Sequence, residues 1–168
     1  MDTPLVLMDT QRINRSAKRM AYEILERNTE DNEIFLFGIN ERGYAVAQKL
    51  SRLLSDIAEV KVSSAQLLLE AESLAGSDDI DTSEVQDKLI VLVDDVIFSG
   101  HTMFQALNII ADEMQPSEIH TAVMIDRGHR KFPIQAQFCG MELPTKVNEH
   151  VSVIVEDMEV KEVTLEKV

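Results

Sequence analysis

Residues 89–102 read Leu-Ile-Val-Leu-Val-Asp-Asp-Val-Ile-Phe-Ser-Gly-His-Thr, and this stretch narrows the possible folds more than any other. The unbroken apolar run from Leu89 to Val93 is the pattern of a strand buried on both faces, as parallel sheets require. Two carboxylates, Asp94 and Asp95, close the run. A short apolar bridge leads to a small-residue turn, Ser99-Gly100-His101-Thr102, and then to an amphipathic segment, Met103 to Met114. Strand, turn and helix in that order put the turn at the carboxyl edge of an α/β sheet, where ligands of such sheets bind. Backbone N–H groups in the turn and the positive end of the helix dipole suit a monophosphate. Carboxylates just upstream suit sugar hydroxyls and the Mg²⁺ that accompanies a pyrophosphate.

Competing chemistries fit this stretch badly. An ordinary helix cap needs one acid at the helix start, not a pair several residues earlier. A Walker loop is excluded because no Gly-Lys-Ser/Thr occurs, and a nucleophile elbow because no glycine stands two residues before Ser99.

The rest of the chain alternates strands and helices, which implies a right-handed, mostly parallel α/β sheet in one domain spanning 1–168. Leu5 to Met8 reads as a short strand, and Asp9 or Thr10 caps a helix with Ile13, Ala17, Met20, Ala21, Ile24 and Leu25 on one face. Glu33 to Ile39 is a further buried strand. Asn40-Glu41-Arg42-Gly43 reads as the turn after it, with glycines that permit unusual backbone angles. Val60 to Leu69 fits a strand, while Ala65 to Leu74 fits a helix equally well. Residues of about 70–87 read as an acidic mobile loop. Ile119 to Ile125 is a strand, and Val151–Val155 with Val160–Leu165 form a carboxyl-terminal hairpin.

Two further segments are expected on the same sheet edge as Asp94. Asn40, Glu41, Arg42 and Gly43 follow one apolar strand and offer N–H groups and a cation to a pyrophosphate. Asp126-Arg127-Gly128-His129-Arg130-Lys131-Phe132-Pro133-Ile134 follows another, and its basic residues stand out in a chain of formal net charge −14.

Apolar residues, two acids, a short bridge and Ser-Gly-x-Thr together resemble the phosphoribosyl-pyrophosphate (PRPP) motif of type I phosphoribosyltransferases. Gly-Ile-x-x-Arg-Gly at 38–43 and Asp-Arg-Gly-His-Arg-x-x-Pro-Ile at 126–134 resemble the pyrimidine-operon attenuator and uracil phosphoribosyltransferase family, PyrR. Ile-Leu-Glu-Arg-Asn at 24–28 and Gly140 to Thr145 agree, so the resemblance covers nearly the whole chain. It implies a single-domain fold with helices on both sheet faces and a small hood. It further implies the reaction of uracil with PRPP to give UMP and pyrophosphate, and the usual dimer of the family. By position, Asp94 and Asp95 would hold the ribose hydroxyls and stabilise an oxocarbenium-like transition state. Ser99, Gly100, His101 and Thr102 would cradle the 5′-phosphate, and Asn40 to Gly43 the pyrophosphate. Asp126 and Arg127 would face pyrophosphate and base. Mg²⁺ would arrive with PRPP near Asp94 and Asp95, with no direct protein metal site.

Two departures from the family pattern bear on activity. No Lys or Arg occurs between Lys61 and Lys88, where Glu70, Glu72, Asp78, Asp79, Asp81, Glu84 and Asp87 stand instead. An acidic lid repels an anionic substrate, and the loss of one transition-state contact can cost on the order of a hundredfold in rate. His101 stands where the family commonly has Arg, and its charge fades above roughly pH 6.5. The alternative reading is therefore a nucleotide-sensing, RNA-binding regulator of pyrimidine genes with weak or no transferase activity. An mRNA leader would need a basic face, for which Arg15, Lys18, Arg19 and Arg27 on the first helix are the candidates, though a solvated helix face explains them as well. The overall acidity opposes non-specific nucleic-acid binding. No apolar run is long enough for a membrane span, no signal peptide is apparent, and the single cysteine, Cys139, reads as a packed thiol, so a cytoplasmic setting is expected.

Overall fold

The computed structural model describes residues 3–30, 32–70, 73–75 and 87–168. In chain order the elements are β1 (Leu5–Met8), α1 (Thr10–Arg27), β2 (Ile34–Ile39), α2 (Asn40–Ile57), β3 (Val62–Leu68) and β4 (Ser73–Ala75). Then follow β5 (Leu89–Ile97), α3 (His101–Met114), β6 (Ile119–Asp126), β7 (Phe138–Glu142), β8 (Glu149–Glu156) and β9 (Glu159–Lys167). The main sheet runs β4-β3-β2-β5-β6-β7, parallel throughout except for the antiparallel β3–β4 pair. Most of the expected acidic loop, residues 71–72 and 76–86, lies outside the described residues.

Both faces of the sheet are covered, which is why the runs Ile34–Ile39 of β2 and Leu89–Val93 of β5 carry no polar side chain. Leu36, Val91, Val93 and Met124 pack with Ile13, Met20 and Ile24 of α1 and Leu50 and Leu54 of α2. Phe35, Phe37, Ile90 and Leu92 pack on the other face with Met103, Ala106 and Ile110 of α3. Helix α1 starts as expected, with the Asp9 carboxylate accepting a bond from the Arg12 N–H at 2.8 Å. The open choice over residues 60–74 resolves as strand, because β3 pairs residue by residue with β2 from Ile34–Val62 to Ile39–Leu67.

The segment after β2 differs from expectation. Asn40 to Gly43 is not a separate turn but the first turn of α2, and the chain reverses in the single residue Asn40, at φ 55°. Neither Gly38 nor Gly43 has a positive φ; what they provide is close approach. A β-carbon on Gly38 would stand 2.3 Å from the Tyr44 Cα, so only glycine lets α2 leave the strand so tightly.

The motif strand also runs further than its apolar stretch. β5 carries on through Asp94 and Asp95 to Ile97, with Asp94 paired to Val123 and Ile97 to Asp126 of β6. A second sheet, β1-β9-β8, is antiparallel and forms the hood. Its hairpin turns at Asp157 and Met158, with φ of 52° and 61°, the left-handed pair that matches strand twist. The Thr10 hydroxyl donates to the Lys161 carbonyl at 2.9 Å, tying the start of α1 to that hood.

Candidate active site

A cavity of about 540 Å³ opens at the carboxyl edge of the main sheet. Its floor is Asp94, Asp95 and Val96; one wall is Asn40, Glu41 and Arg42 at the start of α2, and another is Thr102 on α3. The hood closes it with Val153, Ile154 and Val155 of β8. Both strand-to-helix junctions singled out in the sequence contribute to the cavity, the second through Thr102, while Gly43, Ser99, Gly100 and His101 are not among its lining residues.

Asp94 is a strand residue held inside the protein, 7% exposed, while Asp95 is half-buried. Burial, and after it the neighbouring Asp95 carboxylate, holds the Asp94 carboxyl well above the ordinary aspartate range. The Asp95 N–H donates to the Asp94 Oδ1 at 2.8 Å, which fixes the orientation of that carboxyl group. A buried acid of this kind in a polar cleft is a recurrent mark of a functional site. A cation delivered by a ligand would restore its ionised form.

The turn after the acid pair has the geometry of an anion cradle. Gly100 takes φ 86° and caps α3, whose first residue is His101. The Ser99 hydroxyl accepts the His101 N–H at 3.2 Å, and Thr102 follows on the exposed first turn. Across the cavity, the Asn40 side chain accepts the Leu69 N–H at 3.2 Å, so the tight junction is fastened to the end of β3. Arg42 is exposed beside it.

The basic segment 126–134 is placed differently from expectation. Asp126 and Arg127 do not line the cavity. Arg127 is buried, with Nε donating to the Thr145 hydroxyl at 2.9 Å and Nη2 to the Glu149 carbonyl at 2.5 Å, and its guanidinium lies over the Phe98 ring at 4.4 Å. Asp126 binds Arg130 through both carboxylate oxygens, at 2.9 and 2.8 Å. These charges are used inside the protein.

The candidate basic face on α1 also divides. Arg19 donates to Glu23 and to the Cys139 and Gly140 carbonyls, bracing the edge strand β7. Arg27 lies in a separate depression with Glu26, Glu30 and Lys88. Arg15 and Lys18 instead join Lys49 and Arg52 of α2 around a groove of about 450 Å³. Burial lowers the Lys49 pKa below the usual lysine value, against the pull of Glu159 and helped by Arg52 and Lys161. Cys139 is a packed thiol, pushed up to about 11 by burial.

The family model for the phosphoribosyl transferase domain matches residues 7–162. The chain belongs to the type I phosphoribosyltransferase family, in its PyrR branch. "Bifunctional protein PyrR" of Listeria welshimeri is 36% identical over 172 residues, covering 95% of this chain and 93% of that protein. The protein of the same name from Herpetosiphon aurantiacus is 36% identical over 165 residues, covering 94% and 93%. Among solved structures, a hypoxanthine phosphoribosyltransferase of Trypanosoma cruzi superposes with TM-score 0.77 at 16% identity, over 97% of this chain and 96% of that one. A hypoxanthine-guanine phosphoribosyltransferase of Bacillus anthracis gives 0.70 at 16% identity over 98% of each, and both show the shared fold.

Within this PyrR-type phosphoribosyltransferase, sequence reasoning missed the β8 wall of the cavity and the two cations from α2. The apolar periodicity of α2 marks a buried face, with Val46, Leu50 and Leu54, but does not say which of its polar residues face α1. Among the described residues, no group of three or more His, Cys, Asp or Glu could hold a metal, and no helix is long and apolar enough to cross a membrane.

Proposed function

We propose that this cavity transfers the phosphoribosyl group of PRPP to uracil, releasing pyrophosphate and UMP. The observation that carries this reading is the acid pair between two helix-start junctions on one sheet edge. Asp94 and Asp95 accept the ribose hydroxyls and stabilise positive charge at C1 as its bond to pyrophosphate breaks. Ser99, Gly100, His101 and Thr102 hold the 5′-phosphate, and Asn40, Glu41, Arg42 and Gly43 the leaving pyrophosphate. Uracil N1 then bonds to C1 and gives up its proton. Positioning supplies most of the acceleration, because no covalent intermediate with the protein is needed.

A hard cation suits this site. Glu41, Asp94 and Asp95 offer carboxylate oxygens around one cavity, too few for a cage. One or two carboxylates plus substrate phosphates is the usual Mg²⁺ arrangement, and the ion neutralises pyrophosphate charge. For the base, β8 is an edge strand of the hood sheet. One row of its backbone N–H and C=O groups is therefore not used in that sheet, and alternating donors and acceptors match the edge of a pyrimidine imide. The PyrR names of the relatives and the Asp126–Ile134 motif favour uracil over a purine base. The absence of Lys or Arg between Lys61 and Lys88 makes the turnover slow.

Incubation with PRPP, Mg²⁺ and each of uracil, hypoxanthine and guanine, followed by chromatography, tests this directly. UMP alone is the expected product, lost in Asp94→Asn and Asp95→Asn. If no base gives a nucleotide, the transferase reading fails.

A second reading, a nucleotide-sensing RNA-binding regulator, is favoured by the groove of Arg15, Lys18, Lys49 and Arg52. Four cations around one groove in so acidic a chain suit a run of phosphates. UMP binding without turnover, with salt-sensitive binding to a pyrimidine-gene leader RNA, is its expected signature. An undetectable or salt-independent association removes it.

A further inference from the structure

We propose that Arg130, aligned by Asp126, is a positioning residue that sets the phosphate turn from behind without touching the ligand. The inference rests on the phosphoribosyl reading of the cavity and adds a part to it.

Arg130 is mostly buried, as is Asp126, with side chains 23% and 19% exposed. Its Nη1 donates to Asp126 Oδ1 at 2.9 Å and to the Phe98 carbonyl at 3.0 Å. Its Nη2 donates to Asp126 Oδ2 at 2.8 Å and its Nε to the Ile134 carbonyl at 2.8 Å. These contacts use four of the five N–H donors a guanidinium has, which leaves almost no capacity for a phosphate. Asp126 is itself held, since it accepts the Gly128 N–H at 2.9 Å. The fork is therefore built before any ligand arrives.

What the fork grips is the turn itself. The Phe98 carbonyl is bound by Arg130, and the next carbonyl, Ser99, accepts the Lys131 and Phe132 N–H groups at 2.8 and 3.0 Å. Both carbonyls are thus drawn to the same side. Every peptide here is trans, so the N–H groups of Ser99 and Gly100 are turned to the opposite side. The aliphatic part of Arg130 backs Gly100, whose absent β-carbon would sit 3.4 Å from the Arg130 Cδ. An anion cradle made of main-chain amides has no side-chain charge to fall back on, so its affinity depends on that orientation. Lysine cannot replace this residue, because a single ammonium does not span two carboxylate oxygens and two carbonyls in one plane.

Titration calorimetry with UMP and with uridine separates this role from general support. The two ligands differ only in the phosphate, so their affinity ratio reads the turn alone. Wild-type full-length protein is expected to prefer UMP. Arg130→Ala is expected to lower the UMP-to-uridine ratio at least tenfold while the uridine Kd stays unchanged, and free guanidinium ion restores part of the loss. Arg130→Lys and Asp126→Asn are expected to lower the same ratio, and they carry the test should Arg130→Ala fail to fold. An unchanged ratio in these variants, or an equal loss for both ligands, overturns the proposal while leaving the phosphoribosyl reading in place. A wild-type protein with no preference for UMP over uridine overturns that reading and this inference with it.

Discussion

Gly43 of α2 lies directly against the strand position of Asp94. A β-carbon on Gly43 would stand 3.2 Å from the Asp94 Cα, 3.3 Å from its Oδ1 and 2.7 Å from the Val93 carbonyl oxygen. The start of α2 and the acid pair are thus in contact through a residue with no side chain, and any shift of α2 is felt at the carboxylate.

Gly43→Ala is accordingly expected to damage catalysis more than stability. Overpacking of this kind costs typically ~1–3 kcal/mol, and the strain is relieved by moving the start of α2 or the Asp94 side chain. Transferase turnover should fall at least tenfold in protein that still melts cooperatively. Parallel measurement of kcat and thermal midpoint checks this, and unchanged kcat would show that the contact is slack.

Asp94 makes the ligand-free protein sensitive to alkali. Its pKa is raised, so the folded chain keeps a proton that the unfolded chain gives up. The stability so gained is complete below the ordinary aspartate pKa of about 4, and is lost as the pH rises through the folded value. Asp94→Asn, which cannot ionise, should melt higher than wild type, with a gap that widens as the pH is raised from about 4. The same variant should make no UMP. Melting curves that run parallel across this range would mean that Asp94 is ionised in the empty cavity.

Local features were the legible ones. The Asp9 cap and the buried strands are written in neighbouring residues and appear where the chain implies them, while the first glycine-bearing junction falls at the expected strand end but as the first turn of α2 rather than a turn before it. The reason for the glycines was not legible, because the chain does not reveal that Tyr44 and Val93 crowd them. β3 was ambiguous since Val62-Ser63-Ser64-Ala65-Gln66-Leu67-Leu68 alternates weakly, and its parallel partner β2 decides it. Val153 to Val155 reach the cavity only because the hood folds back over β5, a contact between distant parts of the chain. The charged segment misled most. Asp126 and Arg127 are expected to face the ligand, but Arg130 occupies the first, and Thr145 and the Glu149 carbonyl the second.

Arg127 should matter to the hood as Arg130 does to the turn. It joins the motif residue Phe98 to Thr145 and to the Glu149 carbonyl at the start of β8, the strand that closes the cavity. Arg127→Ala leaves the buried Thr145 hydroxyl and the half-buried Glu149 carbonyl without this partner, at a cost of about 1–3 kcal/mol. Chemical denaturation should show that loss. On the proposed reading UMP and uridine should weaken together, because β8 would face the base and is displaced while the turn at Ser99–Thr102 is not. Retained uridine affinity would separate Arg127 from the hood.

The groove between α1 and α2 sets the last expectation. Arg15, Lys18, Lys49 and Arg52 surround it with Asp56, Arg52 also pairing with Glu159 at 2.8 Å, whereas Arg19 is committed to the Cys139 and Gly140 carbonyls and Arg27 sits among acids elsewhere. If leader RNA binds here, replacing any one of the four by Ala should weaken binding and flatten the slope of log K against log salt by roughly 0.7–0.9, the value for one phosphate contact. Arg27→Ala should leave the slope alone. Arg19→Ala should lower thermal stability, since β7 loses its brace, with little change in slope. A salt slope that responds to Arg27 and ignores the groove would move the RNA to the other end of α1.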